Sequence, residues 1–265
     1  MRTSLAIKYL RAMKSAAVMT FRQNVFDMFI IFGVLIQPLI IATLALWMIG
    51  DRVSEAIIFI VVGSGMTGLW TNLLFESGNS ITQERWTGTL EMITATPTPV
   101  SVIVFGKNLA NVTQSLGSMF VCYTLVSWVF GYQVTIEHPL FFVLSLAMTV
   151  IAFVCFGLII SPIFLLNPSV QRWQNALEYP VYILAGFLFP IALLPGWTTP
   201  FSYLLPPYWA ARALHGASSG GASVSDIVFS LMMLLVFSIL GLLVSRLLFR
   251  VMLRKVREDA TIGMQ

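Results

Sequence analysis

Apolar residues along this chain come in long blocks separated by short charged segments. Five stretches are free of Asp, Glu, Lys and Arg, at 28–49, 56–75, about 111–130, 140–166 and 179–194, and a sixth, 227–248, carries only Arg246 near its end. A bilayer core about 30 Å thick is crossed by roughly 20 apolar residues in helical form. Each block therefore predicts a membrane span, and together they predict an all-α integral membrane protein with six transmembrane helices. The fifth block is short. Its charge-free run continues to Ala211 through Pro195, Pro200, Pro206 and Pro207, too many prolines for one straight helix.

The polar positions give the spans an orientation. Lys and Arg accumulate on the cytoplasmic side. The first segment holds Arg2, Lys8, Arg11, Lys14 and Arg22, and the last holds Arg246, Arg250, Arg254, Lys255 and Arg257. With both termini cytoplasmic, Arg85, Lys107 and Arg172 also fall inside, and only Arg52 and Arg212 remain outside. Thirteen of 15 basic residues then sort to one side, so the net charge of +4 is a topological signal. No basic run has the interleaved aromatics of a single-strand binder, and no nucleic-acid partner is expected. Residues 1–27 predict an interfacial amphipathic helix. At helical spacing Ile7, Leu10, Met13, Ala17 and Phe21 share an arc of about 120°, with Lys8, Arg11 and Arg22 beside it. Lys14 intrudes on that arc and must snorkel. Residues 28–250 then form the transmembrane domain and 251–265 a cytoplasmic tail.

Composition agrees. Of 265 residues 58% are hydrophobic and 10% charged, against about 25% charged in ordinary soluble domains. Little of the chain is left for a soluble catalytic domain, so an energy source is expected on another chain. Cys122 and Cys155 lie in apolar runs with no partner at ligand spacing, which reads as small buried hydrophobes. The basic amino terminus lacks a short apolar core with a small-residue cleavage site and is read as retained.

Between the second and third spans the sequence is QERWTGTLEMITATPTP from Gln83 to Pro99, followed by Phe105, Gly106 and Lys107. Residues 84–93 predict a short helix that Pro97 and Pro99 stop, with Ser101 available to cap the next. Gly88 permits close approach, Leu90 and Met92 offer apolar knobs, and Glu84, Arg85 and Glu91 offer charged contacts. Glu84, Gly88, Thr89, Leu90, Glu91, Thr96, Pro97, Gly106 and Lys107 match, in order, the first cytoplasmic loop of the ABC type-2 exporter permeases, which this sequence resembles. The resemblance implies that this loop is the coupling helix seated in a cleft of an ATPase subunit. The coupling set is then Glu84, Arg85, Gly88, Thr89, Leu90, Glu91, Met92 and Pro97.

A second region, from Ala185 to Trp197 and on through Pro206, Pro207, Tyr208, Trp209 and Arg212, is too apolar for water and too broken for a span. Backbone freed by proline persists at membrane depth only when buried in protein or facing a wet cavity, which predicts a re-entrant helical hairpin. The same family is similar here, with an external hairpin after its fifth span. In a dimer, Phe187, Phe189, Pro190, Leu193 and Leu194 are candidates for a hydrophobic translocation gate. Trp197, Tyr203, Tyr208 and Trp209 suit a gate or an interfacial aromatic belt equally.

The remaining polar residues read more plainly. Ser64, Thr67, Asn72, Asn111, Thr113 and Gln114 suit interhelical packing. Glu76 and Glu178 sit at predicted cytoplasmic span ends, within reach of headgroup water. Ser218 to Ala222 faintly resembles a nucleotide-binding signature, but an external Gly/Ser linker accounts for it better. Gly106-Lys107 lacks the rest of a phosphate-binding loop. His138 and His215, external and apart in sequence, give an intramembrane enzyme nothing to work with.

The resemblance covers nearly the whole chain. It implies the permease subunit of an ATP-driven exporter in the cytoplasmic membrane of a prokaryote, with a second permease chain, identical or not, and two ATPase copies. ATP and Mg²⁺ would be held by the ATPase, and no cofactor, metal or catalytic residue is expected here. Amphipathic drugs, antibiotics or lipid-like molecules are the expected cargo, with polysaccharide or lipid-linked glycan as the alternative. A non-transporting receptor or scaffold is the reading from another class.

Overall fold

A computed structural model describes residues 2–49, 54–132, 135–167 and 169–262. Arg52 lies outside the described residues, as do the extreme ends of the first and last predicted segments. No strand occurs among the described residues. The helices are α1 (Arg2–Asn24), α2 (Met28–Ile31, then a π-helical turn Phe32–Ile36 and Gln37–Ile49), α3 (Ser54–Asn72, continued by a π-helical turn Leu73–Ser77), α4 (Thr82–Trp86), α5 (Leu90–Thr94), α6 (Val100–Thr124, continued by Leu125–Val129), α7 (Pro139–Leu165), α8 (Val170–Leu184), α9 (Thr199–Tyr203), α10 (Pro206–Ser219) and α11 (Val224–Ile262).

Among the described residues five helices are long and apolar enough to cross a membrane: α2, α3, α6, α7 and α11. The fifth predicted block behaves differently. Its helix, α8, starts at Val170 and stops at Leu184, so it is displaced toward the amino terminus of residues 179–194. Its 15 residues reach about 22 Å. Helical backbone tolerates Arg172 and Glu178 within it because α8 keeps one face on the bundle and leaves the other open.

The core is built around α3, which packs on α2, α6, α8 and α10. Trp70, Met66, Leu69 and Leu73 are fully buried in it. Small hydroxyl residues let these helices approach closely while bonding to their own backbone. Ser64, Thr67, Thr149 and Ser161 each donate to a carbonyl one turn back on their own helix. Ser118 also reaches across to the Gly65 carbonyl at 2.8 Å.

Both terminal segments are more integrated than the sequence predicts. α1 lies along α6, and a side chain at Gly106 would collide with the backbone carbonyl of Met13. Asn24 Nδ2 donates to Asn111 Oδ1 at 2.8 Å. Of the predicted apolar arc, Met13 and Ala17 turn toward the protein, while Ile7, Leu10 and Phe21 stay exposed. One side of α1 is therefore bound to the bundle and an adjacent side is free to enter the headgroup boundary. At the other end, the residues from 251 to 262 continue the last helix. α11 runs 39 residues, about 58 Å, roughly twice the bilayer core. Phe249 and Met252 on its far end are buried against Leu90, Val104 and Leu165, which is why the helix persists.

Candidate functional site

The loop between α3 and α6 folds as two short helices, not the single one expected over 84–93. Gly88 separates α4 from α5 with φ of 71°, a left-handed conformation open to glycine at no steric cost. No atom approaches the place where its side chain would be. Within the chain its value is thus the turn, and the space beside it is open. Pro99 occupies the cap position of α6, so Ser101 lies inside the first turn and does not cap.

One carboxylate ties the segment together. Glu84 on α4 accepts from the Thr89 hydroxyl at the start of α5 and pairs with Lys107 on α6. Thr89 N also donates to the Glu84 carbonyl at 2.9 Å, and Lys107 Nζ lies 3.4 Å from the Ser80 carbonyl. Arg85 Nη1 donates to the Leu165 carbonyl at 3.4 Å, at the carboxyl end of α7 where helix carbonyls are unsatisfied. Three elements that end in membrane helices are joined through polar contacts at this point.

The sequence-derived coupling residues divide into two groups. Leu90 is 7% exposed and belongs to the cluster with Ile81, Val100, Phe249 and Met252, so it is an anchor and not an outward knob. Glu84 and Thr89 are internal ties. Arg85, Gly88, Glu91, Met92 and Pro97 are exposed, and they share that surface with Trp86, 65% exposed. Trp86 was not singled out from sequence, although a tryptophan flanked by charges in a water-facing loop is an available signal. A groove of about 420 Å³ adjoins this face, with Arg85, Leu90 and Glu91 on one wall and Lys255, Val256 and Glu258 of α11 on the other.

At the opposite end, α8 stops at a turn through Gly186. Two 3₁₀ turns, Ile191–Leu193 and Gly196–Thr198, lead into α9 and then α10. Phe187 is fully buried. Its ring lies 5.9 Å from that of Tyr182, and its carbonyl fills the space that a side chain at Gly63 would need. Phe189 and Leu194 are half-buried and Pro190 is exposed. Leu193 is 76% exposed. The five gate candidates lie within eight residues of one another in sequence, but the structure gives them two environments, a seated ring and an outward lip.

The chain matches the ABC-2 type transporter family over residues 11–218, from α1 through α10. The chain belongs to that family. The match is to the membrane permease, without the ATPase domain, and permeases of this type typically pair with ABC ATPase subunits. A comparison with the curated proteins finds no match.

In this ABC-2 permease α10 is buried along almost its whole length. Ala210, Ala213, Leu214 and Ala217 are fully buried against α3, α7 and α11. His215 stacks on Phe59 with ring centroids 3.6 Å apart, and its Nε2 lies 3.1 Å from the Phe187 carbonyl. The two histidines, far apart in sequence, approach one another's strand of chain: His138 N donates to the Ala217 carbonyl at 3.0 Å. Ser218 and Ser219 complete α10 and do not form the flexible linker expected from sequence. Of the four ambiguous aromatics, Tyr208 and Trp209 are buried, whereas Trp197 and Tyr203 are exposed. Arg212 pairs with Asp226 at 3.0 Å and lies 5.8 Å over the Trp209 ring.

The shifted start of α8 also moves Glu178. Sequence put it at a span end in reach of headgroup water, but it lies eight residues inside α8 and is 8% exposed. Its Oε1 is 3.1 Å from each of Gln37 Nε2, Thr71 Oγ1 and Tyr182 Oη. Thr71 and Tyr182 are themselves 2.5 Å apart. This cluster joins α2, α3 and α8, and nothing in residue spacing revealed it. Glu76 sits nearer the coupling end, beside a polar cavity of about 40 Å³ that Asp27, Asn24 and Lys107 also line. No group of three or more His, Cys, Asp or Glu residues arranged to hold a metal occurs among the described residues.

Proposed function

We propose that this permease is the membrane subunit of an ATP-driven exporter that moves amphipathic small molecules out across the cytoplasmic membrane of a prokaryote. The observation that carries the reading is the exposed face of α4 and α5. Trp86 and Met92 project from a segment fastened to the spans through Glu84, Lys107 and Thr89. Aromatic and methionine side chains rimmed by Arg85 and Glu91 are the composition of a protein interface. The rigid fastening means that force on this face reaches the membrane helices.

The functional unit on this reading has two permease chains and two ATPase chains, with ATP and Mg²⁺ bound to the latter. Both termini are cytoplasmic. α8, together with the chain up to the hairpin, serves as the sixth crossing, and residues 28–250 act as one transmembrane domain between an interfacial helix and the cytoplasmic end of α11. Closure of the ATPase pair pushes on α4 and α5, the spans tilt, and the segment holding Phe187, Phe189, Pro190, Leu193 and Leu194 opens. For that opening the Phe187 ring must leave its seat beside Tyr182 and Gly63. The largely apolar lining of this gate favours amphipathic cargo over strongly hydrated glycans.

Co-purification with an ATPase partner tests the reading. Met92→Asp and Trp86→Ala should each lower ATPase recovery about tenfold or more, since interface aromatics and apolar anchors carry about 2 kcal/mol or more. Thermal stability of the permease should stay unchanged, because both side chains point away from its core. Recovery equal to wild type, or ATP hydrolysis by the purified permease alone, would refute the assignment.

A further inference from the structure

We propose that Glu178 is the recognition point for a lipophilic cation, so that the amphiphile moved by this permease carries positive charge. The proposal rests on the export reading and names its substrate class. Gln37, which donates to Glu178, lies nine residues past the start of α2. Nine residues along a helix are about 13 Å, which places the carboxylate well inside the hydrocarbon. An ionisable group at that depth is costly, and where one persists it commonly marks a pathway or a ligand counter-ion.

The surroundings hold the Glu178 carboxyl group by one oxygen and place no cation against it. Gln37, Thr71 and Tyr182 converge on Oε1, an arrangement suited to an acceptor-only group. No hydrogen bond from a described residue reaches Oε2. The ion pairs described are Glu84 with Lys107 and Arg212 with Asp226, and neither includes Glu178. Arg172, on the same helix, is six residues away, about 9 Å along the axis and on another face. Beside the carboxylate Tyr179 is 59% exposed. Its ring meets that of Tyr182 edge-on at 5.7 Å. A carboxyl oxygen next to the open Tyr179 ring favours a cation with apolar substituents.

The competing role is a structural clasp between α8 and the α2–α3 pair. A glutamine would serve a clasp nearly as well, because it also accepts through one oxygen. Charge selectivity separates the two.

Tetraphenylphosphonium and tetraphenylborate carry the same four phenyl groups with opposite charge. The permease reconstituted with its ATPase should be stimulated by the cation at a membrane concentration about tenfold lower than by the anion, a conservative share of one carboxylate's attraction at such depth. Concentrations are referred to lipid after partitioning of each ion is measured. Glu178→Gln should erase the preference, and Glu178→Asp should keep most of it. Wild type with no preference, or Glu178→Gln with the preference intact, overturns the proposal. Should the glutamine variant fail to assemble, displaceable binding of tetraphenylphosphonium to wild-type permease in nanodiscs decides, and its absence overturns the proposal. A complex that assembles and hydrolyses ATP without charge preference loses only the cation site. Failure to assemble with any ATPase removes the export reading itself.

Discussion

Replacing Lys107 by methionine isolates the tie that fastens the α4–α5 segment to the membrane helices. The Lys107 side chain is 13% exposed and that of Glu84 is 20% exposed. Breaking a fully buried pair by removing one partner costs about 3–5 kcal/mol, whereas an exposed pair contributes about 0–1. For a pair with this residual solvent contact, and with the Thr89 hydroxyl still on Glu84, an intermediate value of about 2 kcal/mol is appropriate. That energy corresponds to about a 30-fold shift in the equilibrium between the docked and open segment. Amide hydrogen exchange reads such local opening directly. In nanodiscs, amides of α4 and α5 should exchange about 30-fold faster in Lys107→Met than in wild type, with α10 unchanged. Glu84→Gln combined with Lys107→Met should be less damaging than the two single effects added, because the stranded carboxylate is gone. Unchanged exchange in α4 and α5, equal acceleration in α10, or strict additivity would each refute the reasoning.

Gly106→Val should push α1 off α6, since its branched carbon meets the Met13 carbonyl. The loss is about 1–3 kcal/mol, seen as faster exchange along α1 and weaker cross-linking of cysteines placed across the pair. Phe187→Ala empties a fully buried seat and should lower stability by about 3–5 kcal/mol, read as a reduced unfolding temperature. An unchanged temperature would mean that the ring is not held in the resting state. Met252→Asp puts a charge into the cluster that supports Leu90 and should impair ATPase recovery although the residue is far from the loop in sequence. If recovery holds, α11 does not brace the coupling segment.

Sequence alone determined the solvent of this protein, because long blocks without charge cannot be solvated any other way. It also located both specific regions. A loop rich in Thr, Glu and Pro between apolar blocks, and an apolar run from Ala185 to Arg212 broken by seven glycine and proline positions, are local features that need no partner to be recognised. What escaped were the properties that depend on which helix lies beside which. Leu90 and Met92 look alike as apolar residues two apart, yet α11 covers one and leaves the other open. Gly88 and Gly106 are both glycines in a motif, yet one sets a backbone angle and the other admits a neighbouring helix. The start of α8 is hidden in the sequence because the charge-free block begins only after Glu178, while a helix with one bundle-facing side can carry Glu178 when Gln37, Thr71 and Tyr182 surround its carboxyl group. Those donors lie on three helices, separated from Glu178 by as many as 141 positions. A periodic pattern records where each residue points from its own helix, and only packing decides what it meets there.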